Sequence, residues 1–103
     1  MNASIRADGS GRLLLSGVLD ETSGPALREM GRTLIRDSQV TPLRLDLSAV
    51  EKSSSVGLAL VLAFLRDAEA AGKQLQVLDL PTDMRQIAEV CQLIEVLQPG
   101  DAA

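Results

Sequence analysis

The stretch Leu45-Asp46-Leu47-Ser48-Ala49-Val50-Glu51-Lys52-Ser53-Ser54-Ser55-Val56-Gly57-Leu58-Ala59-Leu60 changes character twice. Leu43, Leu45 and Leu47 alternate with Arg44 and Asp46. That period of two predicts a strand, opened by Pro42. A polar segment follows and predicts a loop. Three serines, Ser53, Ser54 and Ser55, then stand before an apolar run that predicts a helix to about Ala71. Gly72 suits the left-handed position after its last turn. The first N–H groups of a helix lack partners and its dipole is positive there, so hydroxyl caps and negative charge are favoured. A phosphoryl group on a serine at this point would be tolerated and would add about −1.5 to −2 charge. Plain capping, with one serine as cap and the others as loop, explains the same residues.

The helix carries an unusual distribution of side chains. With Arg66 at the centre of the polar side, Glu69, Ala70 and Lys73 cluster around it. On the same side, one to three turns earlier, lie Ser55, Ala59, Leu62 and Ala63, with Val56 at the edge. Gly57, Val61, Phe64, Leu65 and Ala68 form the opposite side and suffice to cover a sheet. A helix start that is small or apolar outside as well as inside is buried by its own chain or by a partner. A chain of 103 residues has little material to spare, so the expectation is a protein–protein patch beginning at the serines.

Outward from this stretch, residues 3–7 and 12–19 predict two strands around the turn cluster Asp8-Gly9-Ser10-Gly11. Leu27, Met30, Leu34 and Ile35 recur at helical spacing, with Ser23 as cap and Pro25 in the first turn. Arg28, Arg32 and Arg36 read as a solvated face of that helix. Leu75, Val77 and Leu80 predict a strand broken by Pro81. Thr82 then caps a last helix with Met84, Ile87, Ala88, Cys91 and Ile94 on its apolar stripe, which makes Cys91 a small core residue. The order β-β-α-β-α-β-α implies an α/β domain with a mostly parallel sheet and an N-terminal hairpin. It spans residues 1–98 and leaves 99–103 as a tail.

Composition narrows the function. There is no His, Trp or Tyr, one Cys and one Phe, and a formal charge of −4. Without His, nucleophile–His mechanisms and Cys/His zinc sites are excluded. One Cys forms no intrachain disulfide. An acidic chain with a single aromatic lacks both the charge and the stacking rings of a nucleic-acid binder. No apolar signal-peptide core stands among residues 1–20. The longest apolar run, residues 57–65, falls well short of the about 20 needed to span a membrane. These readings predict a soluble, cytoplasmic protein.

Asp46-Leu47-Ser48-Ala49-Val50, followed by Ser55, Gly57 and Leu58 at a helix start, resembles the hallmark of the STAS domain family, the fold of bacterial anti-sigma factor antagonists. The element order resembles that fold over nearly the whole chain. Within the family, Gly57-Leu58-Ala59-Leu60 and the following Val61-Leu62 look most like the MlaB branch, small subunits of phospholipid-transport ABC complexes in Gram-negative bacteria. The resemblance implies a STAS subunit with no enzymatic activity, no cofactor and no metal. Its partner would be the MlaF-like ATPase subunit, within a larger complex of permease and lipid-binding subunits. It would sit in the cytoplasm, held peripheral to the inner membrane by that partner, and would support outer-membrane phospholipid asymmetry. The implied interface is Ser53, Ser54, Ser55, Val56, Ala59, Leu62 and Ala63, with the Ser55 hydroxyl capping the helix and touching the partner.

Two positions depart from the family pattern: Ser54 stands where Asp is usual, and Val56 where a small residue is usual. The sigma-regulating branch offers a second reading, in which phosphorylation at Ser55 switches an anti-sigma factor antagonist. A third is a small nucleotide- or anion-binding enzyme using Asp46 and Glu51 as an acid/base pair, although no Gly-rich Walker pattern with its Lys is present. A patch of Ala, Val, Leu and Ser would hold its partner by close, flat contact, without the large anchors that interfaces usually use.

Overall fold

The computed structural model describes residues 3–97; the expected tail at 99–103 lies outside the described residues. Strands β1 (Ala3–Ala7) and β2 (Arg12–Leu19) form the hairpin. Then follow α1 (Gly24–Asp37), β3 (Leu43–Ser53), α2 (Ser55–Ala70), β4 (Leu75–Leu78), α3 (Thr82–Val90) and α4 (Ile94–Leu97). The sheet order is β1-β2-β3-β4, with β1 antiparallel to β2 and the other pairs parallel. The α/β domain with N-terminal hairpin read from the sequence is therefore the fold observed.

The crossovers from β2 to β3 and from β3 to β4 step in one direction. Right-handed connections then place α1 and α2 on the same face of the sheet. The helices pack accordingly: α1 lies on β1 and α2, and α3 and α4 lie against α2. The extents of 38 × 34 × 20 Å agree, because 20 Å is the depth of one sheet and one helix layer. The core fills the space between. Leu13, Leu15, Leu43, Leu45, Leu47 and Val77 point inward from the strands, and Phe64, Val61 and Ile35 meet them from the helices. Gly31 of α1 faces the buried Phe64 ring, so closely that a Cβ there would overlap it. That glycine lets the two helices approach around the chain's single aromatic.

The structure alters several local expectations. β3 runs on to Ser53 where a loop was expected. Its pairing with β2 shifts between Leu14 and Ser16 and again between Gly17 and Val18, so β3 carries two extra residues as bulges. Bulges break the period of two, which is why residues 48–53 do not read as a strand. Cys91 is exposed, since α3 ends at Val90 and Gln92 adopts φ 60° before the separate helix α4. Met30 is also half exposed. Ser23 precedes α1 but its hydroxyl donates to the Val18 carbonyl (2.8 Å), while the Asp20 carboxylate accepts the Thr22 and Ser23 N–H groups. Pro81, not Thr82, holds the N-cap position of α3, without a side-chain cap bond.

Two expected solvent-face cations have structural partners. Arg28 pairs with Asp67, tying α1 to α2. Lys73 donates to the carbonyls of Ile35 (2.6 Å), Arg36 (2.8 Å) and Ser38 (2.7 Å), satisfying the C-terminal end of α1. Gly72 does end α2 as expected. It has φ +71°, its N–H bonds the Glu69 carbonyl, and the Lys73 N–H bonds that of Ala68.

Candidate functional site

The site is built at the junction of β3 and α2, and its first fixed point is Asp46. That side chain is 1% exposed although it points to the sheet face away from the helices. Arg12 covers it, donating from Nε (2.7 Å) and Nη2 to Oδ2, while the Ser48 N–H donates to Oδ1 (2.8 Å). Burial alone would raise the carboxyl's pKa. The hydrogen bonds from the Ser48 backbone and hydroxyl and the bond and charge of Arg12 outweigh it, and the carboxyl is held below its usual range. Asp46 is thus a structural anion that pins the first bulge of β3. Glu51 lies five residues on and is exposed, so the two do not form an acid/base pair.

The bulged half of β3 delivers the three serines to distinct places. The Ser53 N–H donates to the Asp83 carboxylate at the start of α3 (3.2 Å), and its hydroxyl to the Ser54 carbonyl (3.0 Å). Ser54 is the N-cap. Its Oγ accepts from the Val56 N–H (3.1 Å) and donates to the Leu19 carbonyl (3.3 Å). Ser55 is the first residue of α2 and is exposed, and its hydroxyl makes no hydrogen bond within the described residues. The expected capping role of Ser55 therefore belongs to Ser54. A serine and an aspartate are nearly equal as caps, so Ser54 does in the helix start what the usual Asp would do.

Gly57 faces inward, as expected. A Cβ there would overlap the Ser53 hydroxyl and press on Leu19 and Met84, each at 3.2 Å. The outward side of α2 is narrower than its sequence suggests. Ser55 and Ala59 are exposed, whereas Ser53, Ser54, Val56, Leu62 and Ala63 are half-buried. Val56 lies against Gly24 of α1, and Leu62 packs on the core. Leu58 and Leu60, which the helical wheel leaves on the flanks, are buried because α1 and α3 enclose α2 from both sides. What remains open is a shallow strip through Ser55 and Ala59, bordered by Leu62 and Ala63. Among the described residues no cluster of His, Cys, Asp and Glu could hold a metal ion.

A family model described as "Mlab, STAS domain" matches residues 3–98. The chain belongs to the STAS family. Two solved structures share its fold. One is the anti-sigma factor antagonist SpoIIAA in its unphosphorylated form, with 21% identity, TM-score 0.64, and 84% of this chain and 81% of that one covered. The other is the Bacillus cell fate determinant SpoIIAA in its phosphorylated form, with 22% identity, TM-score 0.65, and coverage of 88% and 84%. No curated protein matches the sequence. Within a STAS domain the exposed strip starts where sequence placed the interface, at the serines. What sequence missed is the Asp83 contact that ties α3 to the same junction. Its signal is weak: a single acid in the first turn of α3.

Proposed function

We propose that this STAS domain is a non-enzymatic subunit that binds the MlaF-like ATPase of an ABC transporter maintaining outer-membrane phospholipid asymmetry. The contact is the start of α2, with Ser55 and Ala59 at its centre and Val56, Leu62 and Ala63 bordering it. The observation that carries this reading is the open strip of small side chains beginning at a hydroxyl with no hydrogen-bond partner among the described residues. Such a strip admits close backbone approach, and the family description names Mlab. The domain is then cytoplasmic and reaches the inner membrane only through its partner; no described helix is long and apolar enough to cross a membrane.

The test is co-purification with the cognate MlaF-like ATPase after Ser55→Glu and Ala59→Arg. Both positions are exposed, so these changes leave the core alone while putting an unpaired charge into a dry contact, which costs several kcal/mol. Loss of co-purification is expected. Binding at wild-type strength by both variants overturns the reading.

One observation favours a second reading. Ser55 is exposed at the first helical position, its hydroxyl without a hydrogen bond among the described residues, where a phosphoryl group would meet the positive helix end. An anti-sigma factor antagonist switched by phosphorylation at Ser55 would present that group. Intact mass after incubation with the cognate serine kinase decides, since an unmodified mass removes this alternative.

A further inference from the structure

The tip of β3 is held on two sides. Successive N–H groups of a strand point in opposite directions. That of Ser54, just past the strand, goes to the Leu19 carbonyl of β2 (3.2 Å). That of Ser53 points the other way, to the side of β4. Among the described residues β4 pairs only with Leu43–Asp46 of β3, so no strand stands beside Ser53 there. The Asp83 carboxylate takes that place and accepts the Ser53 N–H (3.2 Å).

The next residue of α3 grips the other end of the same short segment. A Cβ at Gly57 would lie 3.2 Å from Met84 Cε, so the first turn of α2 rests on the buried Met84 side chain. Ser55 stands midway between Ser53 and Gly57. It is the exposed residue of a segment that the first turn of α3 holds at both ends, and Ala59 follows it one turn later on the same side. The two holds differ in kind. Met84 is wholly buried and belongs to the core, whereas Asp83 is exposed and its bond to Ser53 lies at the surface. A typical hydrogen bond adds little net stability, so loss of this one leaves the domain folded.

We infer that Asp83 is a positioning residue for the docking strip of α2: by holding the Ser53 N–H it fixes the direction in which Ser55 and Ala59 meet the partner. The inference rests on the proposed binding of the ATPase through that strip. Asp83 itself does not need to touch the partner. Without its carboxylate the tip of β3 is anchored on the β2 side alone, and Ser55, two residues on, turns with it. A contact built from small side chains depends on close fit, so a small turn of the helix start is felt in affinity. The other role open to Asp83, an acid in the first turn of α3 that favours that helix, depends on charge. The positioning role depends on an acceptor oxygen.

Variants of the full-length protein separate these roles. Asp83→Ala removes the acceptor. Asp83→Asn removes the charge and keeps an amide oxygen for Ser53. Gln86→Gly weakens α3 at an exposed position away from the junction. Affinity for the cognate ATPase is measured by calorimetry, and amide hydrogen exchange of residues 53–57 is followed in the free protein, with thermal melts confirming the fold. Asp83→Ala should bind about five- to tenfold more weakly, the size of one hydrogen bond, and exchange faster at residues 53–57. Asp83→Asn should stay within about twofold of wild type, and Gln86→Gly should bind as wild type does. The inference is overturned if Asp83→Ala binds or exchanges as wild type does, or if Asp83→Asn is as weak as Asp83→Ala. It is equally overturned if Gln86→Gly binds as weakly, since α3 then acts through its stability alone. Failure of the functional reading has a different signature: wild type itself does not bind the ATPase, or Ser55→Glu and Ala59→Arg bind at full strength, and the docking role of Asp83 falls with it.

Discussion

On the inner side of the start of α2, Gly57 and Leu58 are buried. Gly57 leaves no room for a methyl group, the Ser54 hydroxyl both accepts and donates, and Ser53 reaches α3 through Asp83. On the outer side of the same turn, Ser55 and Ala59 touch little. The two sides share one backbone and nearly one composition, so residue type does not separate them. Position does. The inner residues are fixed by the fold's own demand for close packing and satisfied polar groups. The outer ones are free of that demand and open to a partner. The substitution with the largest expected effect tests the inner side. Gly57→Val should cost about 3 kcal/mol or more in urea denaturation, because the branch would strike Ser53, Leu19 and Met84 in a junction with no slack. A loss under about 1 kcal/mol would show that the junction yields, and the contrast with the outer side would fail.

Asp46 gives an effect of intermediate size. Asp46→Ala leaves the Ser48 N–H without its acceptor and Arg12 without its ion pair, and should cost about 1–3 kcal/mol. The pH dependence has a definite sign. The folded carboxyl titrates below its ordinary value of 3.8, so its contribution is fully present above that pH and is lost as pH falls through the lower folded value. Acid denaturation of the wild type should therefore be steeper in that window than that of Asp46→Asn. Identical acid profiles would remove Asp46 as the anchor of the bulge.

The same contrast explains what could be read from sequence. Leu43, Leu45 and Leu47 keep strict alternation, and Gly72 marks its helix end, because local geometry alone dictates those residues. The second half of β3 was hidden, since each bulge resets the alternation and the first is held by a side chain, Asp46, whose partner Arg12 is remote in sequence. Leu58 and Leu60 were hidden for a similar reason: a helical wheel knows one buried face, whereas α2 is enclosed by a sheet and two helices. Cys91 was misplaced because periodicity carried the α3 stripe past a break that the left-handed Gln92 makes. At the candidate site the sequence shows three serines at the approach to α2, and the structure divides them between the end of β3, the N-cap and the first helical position. Their division of labour depends on which carbonyl and which N–H each hydroxyl meets, and Leu19 and Asp83 are too far along the chain to be paired with them from sequence.

The smallest predicted effects are the sharpest, because they separate neighbours. Ser54→Ala removes the N-cap bond to Val56 and the bond to the Leu19 carbonyl, and should lower stability by about 1 kcal/mol. Ser55→Ala removes a hydroxyl with no partner from an exposed first-turn position, and alanine is the better helix former, so stability should stay within about 0.5 kcal/mol of wild type. Thermal and urea melts of the two variants side by side provide the measurement. Equal losses would mean that both hydroxyls serve the fold, leaving no residue at the helix start reserved for a partner. A loss confined to Ser54 means that the fold makes no use of the Ser55 hydroxyl, so any effect of Ser55 variants on partner binding can be read as a property of the surface alone.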